Sequence, residues 1–238
     1  MKICILLPGF VKSYEHLNYL SCLFKKIKCE KIYVFGHIFS YMIPPDVAKD
    51  RISYGKDNNI LLDINKLDVF TSYNFVSDNY KELDEDGYDN RIYSQWYNVK
   101  KSYDLYVSYN KENNINCDMF IRMRPDIYIN DIDKLNKYIN HSYLENKLMV
   151  AGNKKKFTDI IFIGPEEYFK KVVNLCDFMN EYYLLKFVQN RIKKTKPSKN
   201  NLRFGTMSEI LFSYHVRENI RDSYLVNSDC EFFKINRS

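Results

Sequence analysis

Continuous apolar runs recur along this chain and are separated by stretches with helical periodicity. The runs at 2–8, 31–37 and 117–123 lack polar alternation, which is typical of strands buried on both faces of a sheet. Between the first two runs, apolar residues recur every three or four positions. The residues of this stripe are Leu17, Leu20, Phe24 and Ile27. The pattern predicts a strand–helix–strand unit with parallel strands.

The rest of the chain repeats this alternation. A long helix is predicted over 91–111, and its inner stripe comprises Ile92, Trp96, Val99, Tyr103 and Val107. Strands are predicted at 147–152 and 158–164, and the second leads into a helix that begins near Pro165. The apolar stripe of that helix comprises Phe169, Val172, Val173, Cys176 and Met179.

The remaining segments give shorter or weaker patterns. Residues 60–64 and 66–72 predict short strands, as do 223–227 and 230–235 near the end. A late helix is predicted to begin at Thr206, because Thr206 and Glu209 have the spacing of a capping box. We find no internal repeat and no linker. The prediction is therefore one α/β domain over 1–238, with a central, mostly parallel sheet flanked by helices.

Composition narrows the choice of function only slightly. The 7 glycines and 6 prolines argue against a glycine-rich phosphate loop as the main device. The net charge of +6 suits an anionic small ligand, a nucleic acid or a membrane surface alike. None of the 6 cysteines forms a C-x-x-C pair, which favours reduced thiols in a cytoplasmic protein over a zinc site. No apolar run approaches the roughly 18 residues of a membrane span, so none is expected.

The string FIRMRPDIYI, residues 120–129, places charged residues where a buried strand ends. Two interpretations follow from the residues alone. In one, Arg122 or Arg124 pairs with a structural carboxylate such as Asp118 or Glu209, and Asp126 caps the turn. In the other, Asp126 helps to hold a divalent cation and an arginine neutralises a phosphate.

Five motifs occur in an order that resembles a known family. They read D-x-F-I-R-x-R-P-D at 118–126, PGFVKSYEHL at 8–17, YSQWYNVKKS at 93–102, TDIIFIGPEE at 158–167 and MSEILF at 207–212. Together they resemble the small GT-A-fold glycosyltransferases found among bacterial surface-polysaccharide enzymes and large DNA viruses. The resemblance covers most of the chain. It implies a GT-A-like fold, with a nucleotide-sugar-binding half over 1–130 and an acceptor-binding half over 131–238.

The resemblance also implies a reaction and a cofactor. The reaction is sugar transfer from a nucleotide sugar, with a uridine diphosphate sugar favoured, to a glycan or protein-linked acceptor. Mn²⁺ or Mg²⁺ would bridge the diphosphate, and Asp126 would be the surviving acid of a D-x-D motif. Tyr128 stands where the second acid would be, so His215 becomes a candidate second ligand, although its apolar neighbours also fit a structural role. The expected location is the cytoplasm, or the host cytoplasm for a viral protein.

Donor binding is assigned to polar residues near the predicted strand ends. The nucleotide-sugar-binding candidates are Pro8, Gly9, Lys12, Gln95, Asn98, Lys101, Arg122, Arg124 and Asp126. An ordinary strand–helix turn explains the first loop equally well, and a solvated helix face explains the polar residues of the long helix. Trp96 is expected in the core and not as a platform for a base.

Two acids are candidates for catalysis. Asp159 interrupts an otherwise apolar strand, and the resemblance implies acceptor binding or general-base catalysis for an acid there. Pairing with Lys155 or Lys156 is the structural alternative. Glu209 ranks second because of its capping-box position. The basic loop 189–205 is expected to be solvated, or to act as a lid through Lys196, Lys199 and Arg203.

Two rival functions remain. A catalytically inactive nucleotide-sugar-binding module would fit the missing second acid. A nucleic-acid-binding protein would fit the basic loop, but the basic residues are concentrated there and are not interleaved with stacking aromatics. We therefore expect no nucleic-acid partner.

Overall fold

A seven-stranded sheet with helices on both faces organises the described part of the chain. The computed structural model describes residues 1–11, 13–39, 41–42, 60–61, 63–76, 90–153, 156–185, 204–227 and 232–235. The strands are β1 Lys2–Leu6, β2 Lys31–Ile38, β3 Tyr41–Met42, β4 Ile60–Leu61, β5 Ser72–Phe75, β6 Met119–Met123, β7 Ile127–Ile129, β8 Leu148–Asn153, β9 Lys156–Gly164, β10 Tyr224–Asn227 and β11 Phe233–Ile235. The helices are α1 Tyr14–Phe24, α2 Asn90–Asn113, α3 Ile132–Glu145, α4 Glu166–Val173, α5 Met179–Leu184 and α6 Phe204–Ile220, with short 3₁₀ helices at Ile64–Lys66 and Asn174–Phe178.

The strand order of the main sheet is β10–β8–β9–β6–β1–β2–β5. Only β9 runs against the others: it is antiparallel to both β6 and β8, whereas β1 is parallel to β2 and to β6. This is the predicted α/β class with a mostly parallel central sheet. The chain moves outward from β1 through β2 to β5 and then returns to the other side of β1 with β6. The order therefore reverses between β1 and β6, and in open sheets ligands bind beyond the carboxyl ends of strands at such a point.

Each face of the sheet packs against its own helices. The first core layer lies between the sheet and α2, α4 and α6, and it contains Trp96, Phe120, Phe162 and Phe212. The second lies against α1 and α3 and contains Leu17, Leu20, Leu135 and Ile139. Because β1 and β6 are covered on both sides, their side chains alternate between the two layers, which explains their continuous apolar runs.

Local signals at helix ends place several elements. Ser13 begins α1 by accepting a hydrogen bond from the His16 N–H at 3.2 Å, and Asp131 begins α3 by accepting one from the Lys134 N–H at 2.9 Å. Asn146 ends α3 in the left-handed conformation, with φ of 50°. These caps fix where the chain leaves the sheet and returns to it.

Some predicted details were wrong. Val107 is 45% exposed, because the inner stripe of α2 continues through Tyr106 and Tyr109 instead. The helix α6 begins at Phe204, which puts Thr206 inside the helix and removes the proposed capping box. The segment 66–72 is not a strand, because the pairing residues of this region are those of β5. Pro165 precedes the first residue of α4 and acts as its N-cap, with no side-chain hydrogen bond.

None of the helices described is both long enough and apolar enough to cross a membrane. Strands of the main sheet come from both sides of residue 130. The division into a donor-binding half and an acceptor-binding half stays a prediction.

Candidate active site

The candidate site lies beyond the carboxyl ends of β1 and β6, where the strand order reverses. Pro8 and Gly9 follow β1, and Arg124 and Asp126 follow β6. The predicted site residues of the first loop and of the central strand therefore emerge from neighbouring strands at one edge of the sheet.

Gly9 gives the first loop its shape. Its φ is 109°, a value that favours glycine, and no heavy atom lies within 4 Å of the position where a side chain would begin. Its N–H donates to the His37 carbonyl oxygen at 3.0 Å, and its own carbonyl accepts from the Phe39 N–H at 3.3 Å. The loop is thus fixed to the end of β2, with open space above Gly9. Pro8 is buried beside it, and Lys12 lies outside the described residues.

Arg124 and Asp126 form a two-pronged ion pair. The Nε and Nη2 of Arg124 each donate to one carboxylate oxygen of Asp126 at 2.8 Å. The Asp126 side chain is 4% exposed, so its charge is compensated inside the protein. One interpretation of the sequence paired Arg122 or Arg124 with Asp118. In the structure Arg124 pairs with Asp126, and the Asp118 carboxylate accepts a hydrogen bond from the Lys2 backbone N–H at 2.7 Å.

Arg122 is buried without a matching hydrogen-bond partner. The residue is 1% exposed, and neither Nε nor Nη1 has a hydrogen-bond partner. Its Cζ lies 5.9 Å from the centroid of the Trp96 ring. Burial lowers the pKa of this guanidinium to about 10, although Asp159 nearby opposes the shift. Arg122 therefore remains a cation at neutral pH, with two unused N–H groups.

Asp159 is held by two helices. One of its carboxylate oxygens, Oδ2, accepts hydrogen bonds from Gln95 Nε2 at 2.6 Å and from the Ser208 hydroxyl. The Ser208 oxygen in turn accepts from Trp96 Nε1 at 3.1 Å. Both bonds to Asp159 end on Oδ2, so the carboxylate is oriented by Gln95 of α2 and Ser208 of α6. Gln95, predicted as a donor-binding residue, contacts the candidate catalytic acid in this structure.

Ser208 was not among the predicted site residues. Its signal in the sequence is slight: a small hydroxyl on the otherwise apolar face of a helix. Trp96 is fully buried, in agreement with the core role expected for it.

Glu209 forms an ion pair with Lys156 Nζ. Burial raises the pKa of Glu209, with the Lys156 ammonium opposing and the Asp159 charge adding to the rise. Lys156, which was expected as a structural partner of Asp159, thus pairs with the other candidate acid. Lys155 lies outside the described residues.

Polar residues also meet between β2 and α2. The His37 N–H donates to the Ser102 hydroxyl at 2.8 Å, and that hydroxyl donates to the Asn98 carbonyl at 2.9 Å. Burial lowers the pKa of His37, and the nearby charge of Lys101 adds to this effect. His37 was missed from the sequence, although a polar residue near the end of an apolar strand is the same signal that singled out Asp126.

The described residues do not fit a divalent cation as they stand. Both oxygens of Asp126 accept from Arg124. His215 is fully buried on α6, with Nδ1 against the Tyr182 hydroxyl at 2.8 Å and Nε2 against the Lys171 carbonyl at 2.8 Å, and burial lowers its pKa. Over the residues that the structure describes, no group of three or more His, Cys, Asp or Glu could hold a metal. Mn²⁺ or Mg²⁺ therefore has no formed ligand set here.

The predicted lid contacts Lys196, Lys199 and Arg203 lie outside the described residues.

Comparisons with known proteins return distant matches. No family model matches the chain, and neither does any curated protein. Among solved structures, the chain is similar to a glycosyltransferase involved in glycosylation of the major capsid of PBCV-1, with a TM-score of 0.44 and 8% identity over 96% of this chain and 83% of that one. It is also similar to the galactosyltransferase LgtC in complex with donor and acceptor sugar analogues, with a TM-score of 0.41 and 10% identity over 95% and 73% of the two chains.

A protein from Bacillus anthracis described as a glucose-1-phosphate thymidylyltransferase matches with a TM-score of 0.42 and 10% identity, over 100% of this chain and 91% of that one. The first two of these structures are glycosyltransferases, the class that the sequence motifs resemble. At such TM-scores and identities these matches do not indicate an activity, so any function is argued from the residues of the candidate site.

Proposed function

We propose that this chain is a glycosyltransferase that moves a sugar from a nucleotide diphosphate sugar, with a uridine diphosphate sugar favoured, to a glycan or protein-linked acceptor. The observation that carries the proposal is the buried guanidinium of Arg122, which has two unused N–H groups beside the carboxyl end of β6. Two nitrogens of a buried cation without acceptors among the described residues are costly, and this supports an anionic ligand at Arg122. A diphosphate supplies acceptor oxygens that suit the guanidinium fork.

The position of Asp159 supports the chemistry. In the proposed reaction an acceptor hydroxyl attacks the anomeric carbon of the sugar, the carbon–oxygen bond to the diphosphate breaks, and its electron pair leaves with the nucleoside diphosphate. Asp159 takes the proton of the attacking hydroxyl. Gln95 and Ser208 hold Oδ2 of Asp159, which leaves Oδ1 for that proton. Arg122 donates to the departing diphosphate and offsets its charge.

The metal requirement remains a prediction of the sequence motifs. A cation at Asp126 would compete with Arg124 for the carboxylate, because each oxygen accepts one hydrogen bond from that guanidinium. The steps proposed for Arg122 and Asp159 do not depend on it.

The proposal is tested by nucleotide binding to the wild type and Arg122→Met. A panel of nucleotide sugars is titrated calorimetrically, with and without Mn²⁺. We expect a uridine diphosphate sugar to bind the wild type and to lose at least tenfold in affinity with Arg122→Met, since hydrogen bonds to charged groups contribute about 1.5–3 kcal/mol. Thermal unfolding is measured alongside, because the substitution also removes the attraction between the Arg122 and Asp159 charges, and affinities are compared only at temperatures where both proteins are folded.

Arg221→Met is the matched control. Arg221 is exposed and precedes β10, whose amino end lies at the opposite edge of the sheet from the candidate site. The Arg221→Met substitution removes the same charge as Arg122→Met, and the affinity for the nucleotide sugar should stay unchanged. If no nucleotide sugar binds the wild type, the proposed function is wrong. If a nucleotide sugar binds but is neither transferred nor slowly hydrolysed, the chain is the inactive binding module instead.

A further inference from the structure

Two more buried polar atoms, one on β2 and one on α2, lack hydrogen-bond partners among the residues that the structure describes. His37 Nδ1 and Asn98 Oδ1 have no hydrogen-bond partner, and the two residues are only 9% and 2% exposed. Buried polar atoms in folded proteins are hydrogen-bonded in the great majority of cases. Two unsatisfied atoms on facing elements therefore point to a group that is absent from the unliganded chain.

The Ser102 hydroxyl does not serve these two side-chain atoms, because both of its hydrogen bonds go to backbone groups. The Ser102 hydroxyl accepts from the His37 backbone N–H and donates to the Asn98 backbone carbonyl. These two bonds also hold His37 and Asn98 close to each other. The Lys101 ammonium pairs with Asp104 at 3.6 Å and is 41% exposed.

Open space lies next to the same residues. The N–H of Gly9 binds the His37 carbonyl, and nothing lies within 4 Å of the position where a side chain on Gly9 would begin. Gly9 also leads out of β1, so the space adjoins the proposed diphosphate site.

The ring of His37 is neutral. Burial lowers its pKa to about 4, and the Lys101 charge lowers it further in the same direction. At neutral pH the imidazole therefore offers one N–H and one lone pair, and no charge. A neutral ligand group is favoured at His37, in contrast to the anion favoured at Arg122.

We propose that His37 and Asn98 bind the nucleoside of the donor, through a neutral group that places an O–H or N–H donor beside an acceptor. This inference rests on the proposed function and specifies the part of the donor bound on the β2 side of the crevice. In uridine, two groups have this chemistry: the ribose diol and the imide edge of the base. Each can donate to Asn98 Oδ1 and share a hydrogen bond with the imidazole.

The test is calorimetric titration of UDP, 2′-deoxy-UDP, CDP and inorganic pyrophosphate against the wild type, Asn98→Leu and His37→Phe. We expect each variant to bind UDP about tenfold more weakly, as for loss of one hydrogen bond to a buried group, and pyrophosphate as well as the wild type does. Asn98→Leu should also unfold at the same temperature as the wild type or higher, because it removes an unsatisfied atom. If Asn98 were purely structural, Asn98→Leu would lower the unfolding temperature and leave UDP affinity unchanged.

Tyr106→Phe is the control, because Tyr106 is a buried polar residue of the same helix that lies near Cys117, at the amino end of β6. It should leave UDP affinity unchanged. If the wild type binds 2′-deoxy-UDP more weakly than UDP, and Asn98→Leu binds the two equally, the bound group is the ribose. If the wild type binds CDP more weakly than UDP, and Asn98→Leu binds those two equally, the bound group is the base.

Failure of the two ideas can be told apart. UDP binding that is equally tight in the wild type and both variants overturns the nucleoside site and leaves the proposed function standing. Equal affinity of the wild type for UDP, 2′-deoxy-UDP and CDP also overturns the nucleoside site. If UDP does not bind the wild type at all, both proposals are wrong.

Discussion

Replacing Ser208 with alanine removes a single hydroxyl group but should destabilise the protein substantially. The Ser208 hydroxyl donates to the carboxylate of Asp159 and accepts from the indole N–H of Trp96 at 3.1 Å. Both partners are buried, so no solvent replaces the lost hydroxyl. The alanine variant therefore leaves a buried indole N–H without an acceptor and leaves Asp159 with only Gln95 as a donor.

The magnitude follows from the two bonds. A hydrogen bond to a charged group contributes about 1.5–3 kcal/mol, and one between neutral groups contributes about 1 kcal/mol. Ser208→Ala should therefore lower the free energy of unfolding by about 2.5–4 kcal/mol. For a chain of this length, each kcal/mol corresponds to about 2–4 °C in Tm, so we expect a fall of about 5–15 °C.

Urea denaturation followed by circular dichroism measures the loss, and Ser213→Ala is the matched control. Ser213 lies on the same helix and is equally buried at 2%, but its hydroxyl contacts only backbone groups: it accepts the Phe157 N–H at 2.7 Å and donates to the Glu209 carbonyl at 2.6 Å. Its loss should cost about 1–2 kcal/mol.

A double-mutant cycle of Ser208→Ala with Asp159→Asn should give a coupling energy of about 1–2 kcal/mol. The reasoning is refuted if Ser208→Ala costs no more than Ser213→Ala, or if Ser208→Ala and Asp159→Asn are additive.

Three further outcomes can be measured. Gly152→Ala should destabilise the chain by more than about 2 kcal/mol, because φ is 138° and a side chain would meet backbone atoms of β9, whereas Gly9→Ala costs about 1 kcal/mol from its φ alone. Since the folded pKa of His37 is about 4, the unfolded chain binds a proton first as pH falls, and wild-type stability should decline relative to His37→Phe between pH 6.5 and 4. Arg124→Met removes the Arg124 ion pair from Asp126 and should bind Mn²⁺ more tightly than the wild type, as measured by electron paramagnetic resonance.

Each of these has a contrary result. Equal losses for the two glycine variants would show that the backbone contact at Gly152 is unimportant. The histidine argument fails if His37→Phe keeps the wild-type dependence of stability on pH. Unchanged Mn²⁺ affinity in Arg124→Met would mean that Asp126 is not a metal ligand.

Apolar periodicity was enough to predict most of the main sheet and its neighbouring helices. The runs that became β1, β2, β6, β8 and β9 are continuous because both faces of these strands are covered, and this burial is visible in sequence. The region before α2 was predicted less well, because short strands such as β5 carry too few residues for a period to show.

The pairing of charged side chains was not readable in advance. FIRMRPDIYI showed that Arg122, Arg124 and Asp126 belong to a strand end, yet it left open which of them pair. The structure pairs Arg124 with Asp126 and leaves two nitrogens of Arg122 without partners among the described residues. In the same way, Lys156 pairs with Glu209 and leaves Asp159 to Gln95 and Ser208.

The sequence by itself determined the α/β class, the buried strands and the edge of the sheet at which charged residues collect, because these depend on burial patterns within single segments. Only the tertiary structure decided which buried polar atoms have partners, because those partners lie 49 to 64 positions away along the chain for Asp159. His37 and Ser208 became candidates for the same reason. The contacts of each come from other elements: Ser102 of α2 for His37, and Asp159 of β9 and Trp96 of α2 for Ser208.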